Sequence, residues 1–589
     1  MNYNLNDLQA KAPKSSTWSS LGKLLELISH EKRNLWLALI AILITSSINL
    51  CGPLIIGETI DKYIFVAHKN YHGVLVNCAI MLGLYVVSFV SSYVQTLLMG
   101  GVGQRMLFTL RNAIFNKLQI LPVGFFNQNK AGDLISRVNN DTDKLNQFFS
   151  QQLMQFIGSI ATMTGAGIFL LSINIKLGSA TLIPAVLILL FTSITSAWVK
   201  SKNAKNLKSV GGMSAEIQES LNNFRVIIAF NRRDYFRRRF DEANQENYKT
   251  AIGAGIANNS YVPVYALLSS FAQVIVFAYG IYLFTRGEIG IGLVAVSFAS
   301  YANNFYNPLR QLAALWTGFQ TAMAGWDRIA QILALDTDLV SVQKTVPEAN
   351  APLLEFRNVH FGYTDDKEIL HNISFKLEQG KTYALVGPTG GGKTTTASLI
   401  ARLYDPNQGT VLLNGTDIRS YDPVERTKKI GFILQEPFLF TGTVRENILY
   451  GNELYVNHTN EQLEQVIREA NLDALLASFD NGLDSKVTSG GDSISLGQKQ
   501  LIAFMRAVLR NPELLILDEA TANIDTITEK LLSDILNKLP ETTTRVIIAH
   551  RLNTIENADE IFFVNSGEVT RAGSLDDAMS MLLKGKRVS

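Results

Sequence analysis

Cysteine is almost missing: 589 residues hold two, Cys51 and Cys78. Both stand in apolar stretches and read as small buried hydrophobes, not as a disulfide or a metal pair. Nothing therefore calls for an oxidising compartment. Net charge is scarce as well, since 53 Lys and Arg offset 51 Asp and Glu to leave +2. Such a balance gives no electrostatic case for nucleic acid or an acidic partner, and no nucleic-acid role is expected. The opening MNYNLNDLQAKAPKSSTWSS lacks a charged leader followed by a short apolar core and a small-residue cleavage site, so no cleaved signal peptide is expected. A further shortage is local, because long stretches of the first half carry hardly any charge. The length exceeds what one hydrophobic core serves, and several domains are expected.

What fills the first half is apolar helix. A hydrocarbon layer of about 30 Å needs about 20 apolar helical residues. Six segments meet this, near 35–56, 74–99, 149–171, 177–199, 261–284 and 291–316. The first, LWLALIAILITSSINLCGPLIIG, has no charge at all. A buried helix of a soluble protein imitates one such run, not six.

Long polar connections follow the second and fourth segments, and the latter contains KSKNAKNLKS and NRRDYFRRRF. The short connections DKYIFVAHKN, SINIK and TRGE carry few basic residues. Basic loops stay cytoplasmic, so both termini and the two long connections are expected inside a multi-pass cell-membrane protein. A nucleic-acid patch or a solvated face is the other reading of NRRDYFRRRF, and its place between two spans disfavours both. Ahead of the first span, Trp18, Leu21, Leu24, Leu25 and Ile28 recur at helical spacing. They suggest an interfacial amphipathic helix, or else a capping helix packed on protein.

The last span carries Tyr301, Asn303, Asn304, Tyr306, Asn307 and Arg310. Polar groups at membrane depth usually face a bundle interior or a wet cavity. They read as a substrate pathway or as helix-to-helix hydrogen bonding. Arg310, near the expected inner end, reads as the latter or as an extension beyond the bilayer.

The second half reads as a soluble domain. KTYALVGPTGGGKTTTASLIARLY has the order strand, Gly-rich loop, helix. Its loop, Gly387, Pro388, Thr389, Gly390, Gly391, Gly392, Lys393 and Thr394, completes a G-x-x-x-x-G-K-T pattern. Glycines let the backbone curl so that N–H groups and a helix N-terminus converge on phosphate. Lys393 is then expected on the β/γ-phosphates and Thr394 on Mg²⁺. The apolar run LLILD delivers Asp518 at a strand end, where an open α/β sheet places ligands. Asp518 is expected in the shell of Mg²⁺, and Glu519 is placed to orient or deprotonate an attacking water. The other reading of Glu519, a surface salt bridge, suits its place beside the P-loop poorly.

In this order the motifs resemble those of ATP-binding cassette exporter half-transporters, over nearly the whole chain. The resemblance implies a multidomain membrane protein: an all-α six-helix transmembrane domain followed by an α/β P-loop NTPase cassette. It divides the chain into a tail with interfacial helix (1–30), a membrane domain (31–335), a linker (336–352) and a nucleotide-binding domain (353–589). By the same resemblance Tyr363 in HFGYTDD stacks on adenine, and Thr395 joins the phosphate loop. Gln435 in FILQEPFLF links Mg²⁺ to the membrane domain, and Asp525 closes the loop after the catalytic carboxylate. His550 in IIAHRL contacts the γ-phosphate, while Ser495, Gly497 and Gln498 belong to the signature that closes a partner's ATP site. FFNQNKAGDLISRVNNDTDKL is similar to the first intracellular loop, and LNNFRVIIAFNRRDYFRRRF to the second, which enters the opposite cassette.

One departure stands out. Where the family has Leu-Ser-Gly-Gly-Gln, this chain has Ile494, Ser495, Leu496, Gly497 and Gln498. Leucine replaces a glycine that lets backbone approach phosphate. The chain's own P-loop, Asp518, Glu519 and His550 all match, so the resemblance points to the hydrolytic half of a heterodimer whose partner carries the intact signature. A homodimer that tolerates Leu496 is the alternative. Rival functions are a siderophore importer on the same fold and an ATP-gated channel or regulator; Glu519 argues against a switch without turnover. Expected ligands are ATP, Mg²⁺, the lipid bilayer and a drug-like, lipid or, less directly, peptide substrate. The expected location is a bacterial inner membrane.

Overall fold

The computed structural model describes residues 3–5, 7, 31–65, 69–337, 339–344, 346–347, 350–364, 367–488, 494–518, 526–548, 558–573, 576–578 and 580–581. The expected interfacial helix falls outside these, as do Glu519, Asp525 and His550. The chain forms two compact units. One contains Met1–Ala10, Leu118–Ala131 and Leu335–Ser589; the other contains Lys11–Lys117 and Gly132–Ala334.

The helical unit begins with α1 (Lys32–Thr59), which runs on as a π-helical turn over Ile60–Ile64. The unit continues with α2 (Tyr71–Ile120), α4 (Leu153–Ile173), α5 (Ile175–Asn222), α6 (Phe224–Ala229), α7 (Arg233–Asn259) and α8 (Tyr261–Thr285). The unit ends with α9 (Ala299–Leu333), entered through a π-helical turn over Leu293–Phe298. The short α3 (Val123–Gln128) belongs to the other unit. At 1.5 Å per residue α2 is about 75 Å long, so it must project well beyond a hydrocarbon layer. Among the described residues, five helical stretches are long and apolar enough to cross a membrane: Lys32–Ile64, Tyr71–Ile120, Ala131–Ile173, Ile175–Asn222 and Arg233–Thr285. The sixth expected span is helical but less apolar, because Asn303, Asn304, Asn307, Arg310 and Gln311 interrupt it.

Small residues let these helices approach, in place of a hydrophobic drive that lipid cannot supply. A Cβ on Gly165 would stand 2.3 Å from Leu50, and one on Gly158 would stand 2.7 Å from Ile42. Tyr301 donates to the Leu50 carbonyl (2.6 Å) and Tyr306 to the Thr181 carbonyl (2.7 Å). These two tyrosines are thus helix-to-helix ties, whereas Asn303 and Asn307 stay exposed. Asp61 caps the start of the last helical stretch by accepting from the Gly292 N–H (2.7 Å) and the Leu293 N–H (3.0 Å). The cysteines differ from expectation. Cys51 is only half-buried and Cys78 is exposed on an apolar outward face of α2, a face that water never has to wet in a bilayer.

α5 and α7 form a long hairpin. Asn203 and Asn258 exchange side-chain hydrogen bonds (2.9 and 3.0 Å), and Arg239 pairs with Glu216 (2.6 Å). α6 makes the tip, burying Ile227 while Phe224, Val226 and Phe230 remain exposed.

The other unit is an α/β cassette. Strands β1 (Leu354–Phe361), β2 (Leu370–Leu377), β4 (Gln408–Leu413) and β5 (Thr416–Asp417) form an antiparallel sheet in the order β2-β1-β4-β5. Strands β3 (Thr382–Val386), β6 (Ile430–Ile433), β7 (Leu514–Asp518), β8 (Thr544–Ile548), β9 (Glu560–Asn565) and β10 (Glu568–Ala572) form the main sheet, ordered β10-β9-β3-β8-β7-β6. All pairings in it are parallel except β9 with β10. β3 and β7 are buried along their whole length, which suits strands covered on both faces. Three helices matter for the site: α10 (Lys393–Ile400), α11 (Leu496–Val508) and α12 (Thr526–Lys538).

Candidate nucleotide site

The loop between β3 and α10 is shaped by glycine. Gly387, Gly390 and Gly392 have φ of 146°, 80° and 113°. A Cβ on Gly387 would also lie 2.0 Å from the Val564 carbonyl oxygen, so this position excludes any side chain. Gly392 is the N-cap of α10 and supplies no side-chain cap. The opening turn therefore gains no acceptor from its own N-cap, and the positive end of the helix dipole stands there.

The polar groups converge on that end. Buried Lys393 donates from Nζ to the carbonyls of Gly387 (2.9 Å) and Pro388 (3.0 Å), folding back along the loop. Thr394 Oγ1 lies 3.5 Å from Oδ1 of Asp518, which is buried at the end of β7. The Thr hydroxyl and the carboxylate form a hard-oxygen pair, the donor type that Mg²⁺ selects. β8 separates β3 from β7, with Ile548 aligned to both Leu385 and Asp518. The strands leading to Glu519 and His550 thus end beside the phosphate loop, although both residues lie outside the described ones. Gln435 is exposed just past β6, the strand that pairs with β7.

Tyr363 follows β1 and stays partly exposed. Its hydroxyl is 3.2 Å from Thr395 Oγ1, which ties the expected adenine platform to α10. One residue escaped the sequence reading. Tyr404 packs edge-on against Tyr363 (ring centroids 5.1 Å apart), and its hydroxyl accepts from Asn127 Nδ2 on α3 (2.7 Å). Gly124, also on α3, leaves room for that ring, since a Cβ there would stand 3.3 Å from it. An aromatic just past a helix end carries no periodic signal, so only the folded chain finds it.

The signature residues stand apart. Ser495 is the N-cap of α11: its Oγ accepts from the Gln498 N–H (3.1 Å), and Gln498 Oε1 accepts from the Ser495 N–H (2.9 Å). Gln498 Nε2 also donates to the Ser478 carbonyl (2.9 Å). This is a capping box, readable from the S-x-x-Q spacing alone. Leu496 opens the helix with its side chain 40% exposed. Among the described residues no hydrogen bond joins this segment to the phosphate loop.

The model for the ABC transporter transmembrane region matches residues 35–309, and the model described as ABC transporter matches 370–522. An uncharacterized ABC transporter ATP-binding protein of Bacillus subtilis is 33% identical over 96% of this chain and 93% of its own length. This chain is an ABC transporter.

Other relatives of the transporter carry more specific descriptions. A fatty acid ABC transporter ATP-binding/permease protein of Mycobacterium tuberculosis is 32% identical over 84% of this chain and 78% of its own length. A multidrug resistance ABC transporter ATP-binding and permease protein of Lactococcus lactis is 28% identical over 98% and 96%. The transporter is a multi-pass membrane protein of the exporter half-transporter type, with membrane and ATP-binding domains fused in one chain and ATP hydrolysis coupled to transport. A half-transporter implies dimerisation.

Proposed function

We propose that the transporter is the hydrolytic half of a heterodimer that exports an amphiphile of the drug or lipid class across a cell membrane, with its cassette in the cytoplasm. The observation that carries this reading is the contrast between the uncapped, all-glycine approach to α10 and the Leu496 side chain at the start of α11. Tyr363 stacks on adenine; Gly387 to Gly392, Lys393, Thr394 and Thr395 hold the phosphates; Glu519 orients and deprotonates water; His550 meets the γ-phosphate. Asp525 closes the loop behind Glu519. Thr394, Asp518 and Gln435 hold Mg²⁺, which supplies charge neutralisation to the phosphates. Ser495, Gly497 and Gln498 cover the partner's nucleotide, and there Leu496 keeps backbone from a close approach.

The dimer reading draws on two surfaces. The tip of the α5–α7 hairpin exposes Phe224, Val226 and Phe230. The cassette has an apolar groove of about 240 Å³ lined by Phe432, Phe438, Phe440, Tyr450 and Arg506. Each is of a kind that the other would cover in a partner chain. ATP gives direction by favouring one arrangement of the dimer over another, and hydrolysis removes that preference. The basic hairpin supports the cytoplasmic placement.

The test is purification of this chain alone. Weak, substrate-insensitive ATPase that recovers on adding a second half-transporter is the expected result, and Leu496→Gly should partly restore the self-paired form. Full substrate-stimulated ATPase from the unsubstituted chain by itself would establish a homodimer instead.

A further inference from the structure

We propose that Arg310 recognises an anionic head group, so that the transported amphiphile carries a carboxylate or a phosphate. The proposal rests on the exporter reading and names the chemistry of its substrate. Across the six apolar segments, Arg310 is the only Asp, Glu, Lys, Arg or His. A single charge in six otherwise uncharged apolar segments points to a functional position.

Contacts between helices fix its depth. Phe305 packs on Gly167 of α4, and the Phe156 ring lies 6.5 Å from that of Trp316. Arg310 falls between Phe305 and Trp316 on α9, hence level with the part of α4 around Thr162. Thr162 Oγ1 is 3.4 Å from Ser46 Oγ on α1, and Gly158, one turn away, packs on Ile42. Ile42 and Ser46 stand about 13 and 20 Å along the helix from Arg33, in an uncharged stretch that ends at Glu58, about 37 Å away. Arg310 is therefore near the middle of the span, not at its end as the sequence suggested.

Its direction is also defined. Asn303, Asn307, Arg310, Gln311 and Ala314 are exposed at the spacing of one helix face. Tyr301, Tyr306 and Leu315 point into the bundle instead. Gln273 of α8 donates to Asn303 (2.7 Å) and so extends the polar strip. A strip of amides around a guanidinium at mid-depth cannot face lipid tails; it must line a wet cavity or a partner.

Arginines packed among the helices of this unit can find carboxylates: Arg137 pairs with Asp133 (2.9 Å), Arg239 with Glu216 (2.6 Å) and Arg328 with Asp133. Arg310 has none among the described residues. The six segments contain no carboxylate that movement could bring to it. None of the described residues supplies its counter-charge, and an anion held by the dimer would. A guanidinium fork matches a carboxylate or phosphate in two parallel hydrogen bonds, and the low dielectric of the span strengthens that pairing.

The experiment uses the assembled dimer in nanodiscs with ligands that share one tail: lauric acid, lauryl phosphate, lauryl alcohol and lauryltrimethylammonium. ATPase stimulation and direct binding of radiolabelled lauric acid are both measured. The acid or the phosphate should half-stimulate at a concentration about tenfold or more below that of the alcohol, the better of the two identifying the head group. Arg310→Ala should erase that ratio, Arg310→Lys should keep most of it, and Arg310→Glu should shift preference to the ammonium. Arg310→Lys keeps the comparison available should Arg310→Glu fail to assemble. Equal action of acid and alcohol on the unsubstituted dimer overturns the proposal. So does an acid preference that survives Arg310→Ala, which would assign the guanidinium to a partner carboxylate or to lipid. Absence of any stimulated ATPase would count against the exporter reading, while binding of lauric acid would still decide the role of Arg310.

Discussion

Two helix N-termini in the cassette meet the same physical demand in opposite ways. Both α10 and α11 begin with N–H groups that the helix cannot satisfy. At α10 the N-cap is Gly392 in a left-handed conformation, and no side chain fills the vacancy. At α11 Ser495 and Gln498 satisfy each other's backbone groups, and Leu496 projects outward beside them. The first end has no capping side chain of its own, the arrangement that suits an anion. The second is partly satisfied by its own capping box, which takes up the Ser495 and Gln498 N–H groups. The family resemblance treats both as phosphate elements, but of the two N-caps only that of α11 brings a side-chain cap of its own.

The comparison is broken most directly at the open end. Replacing Glu519 by Gln should lower ATP turnover by about a hundredfold or more while ATP still binds, as expected for loss of a general base. Unchanged turnover would remove Glu519 from the reaction and with it the reading of α10 as a hydrolytic site. Lys393→Ala should weaken ATP binding by about tenfold to a hundredfold, the scale of a charged hydrogen bond to phosphate, measured by nucleotide titration.

The closed end makes a finer prediction. Ser495→Ala loses the cap and should cost about 1 kcal/mol, seen as a lower Tm. Ser495→Asp keeps the cap and should preserve Tm, yet it sets a carboxylate against the partner's phosphate and should reduce the ATPase of the assembled dimer. If both substitutions act only through Tm, the signature of this chain has become a purely structural cap. The smallest effect concerns Tyr404, whose change to Phe removes the Asn127 hydrogen bond and should cost about 1 kcal/mol or less. Its expected readout is weaker stimulation of ATPase by substrate, with ATP affinity retained because Tyr363 is untouched.

Much of this was legible in the order of residues. Charge-free runs announced the membrane helices, since few other solvents tolerate them. Strand, glycine loop and helix announced the phosphate site, because a left-handed backbone and a 2.0 Å approach to Val564 admit only glycine. The last helix was harder. Its amides and Arg310 dilute the apolar signal, so it falls short of the other five as a span although it packs with them.

Sequence alone therefore determined the two units, their order and the identity of the phosphate loop, because each follows from local composition or spacing; the departure at Leu496 was legible only against the family's signature. Depth, direction and partnership were decided only by tertiary structure. The period of a helix cannot say which helices lie beside it, so it could not put Arg310 level with Ser46 or separate Tyr301 and Tyr306, which tie helices together, from Asn303 and Asn307, which face out. Nor could it bring Tyr404 between Tyr363 and Asn127, residues that meet because a strand end, a helix end and the distant helix α3 converge.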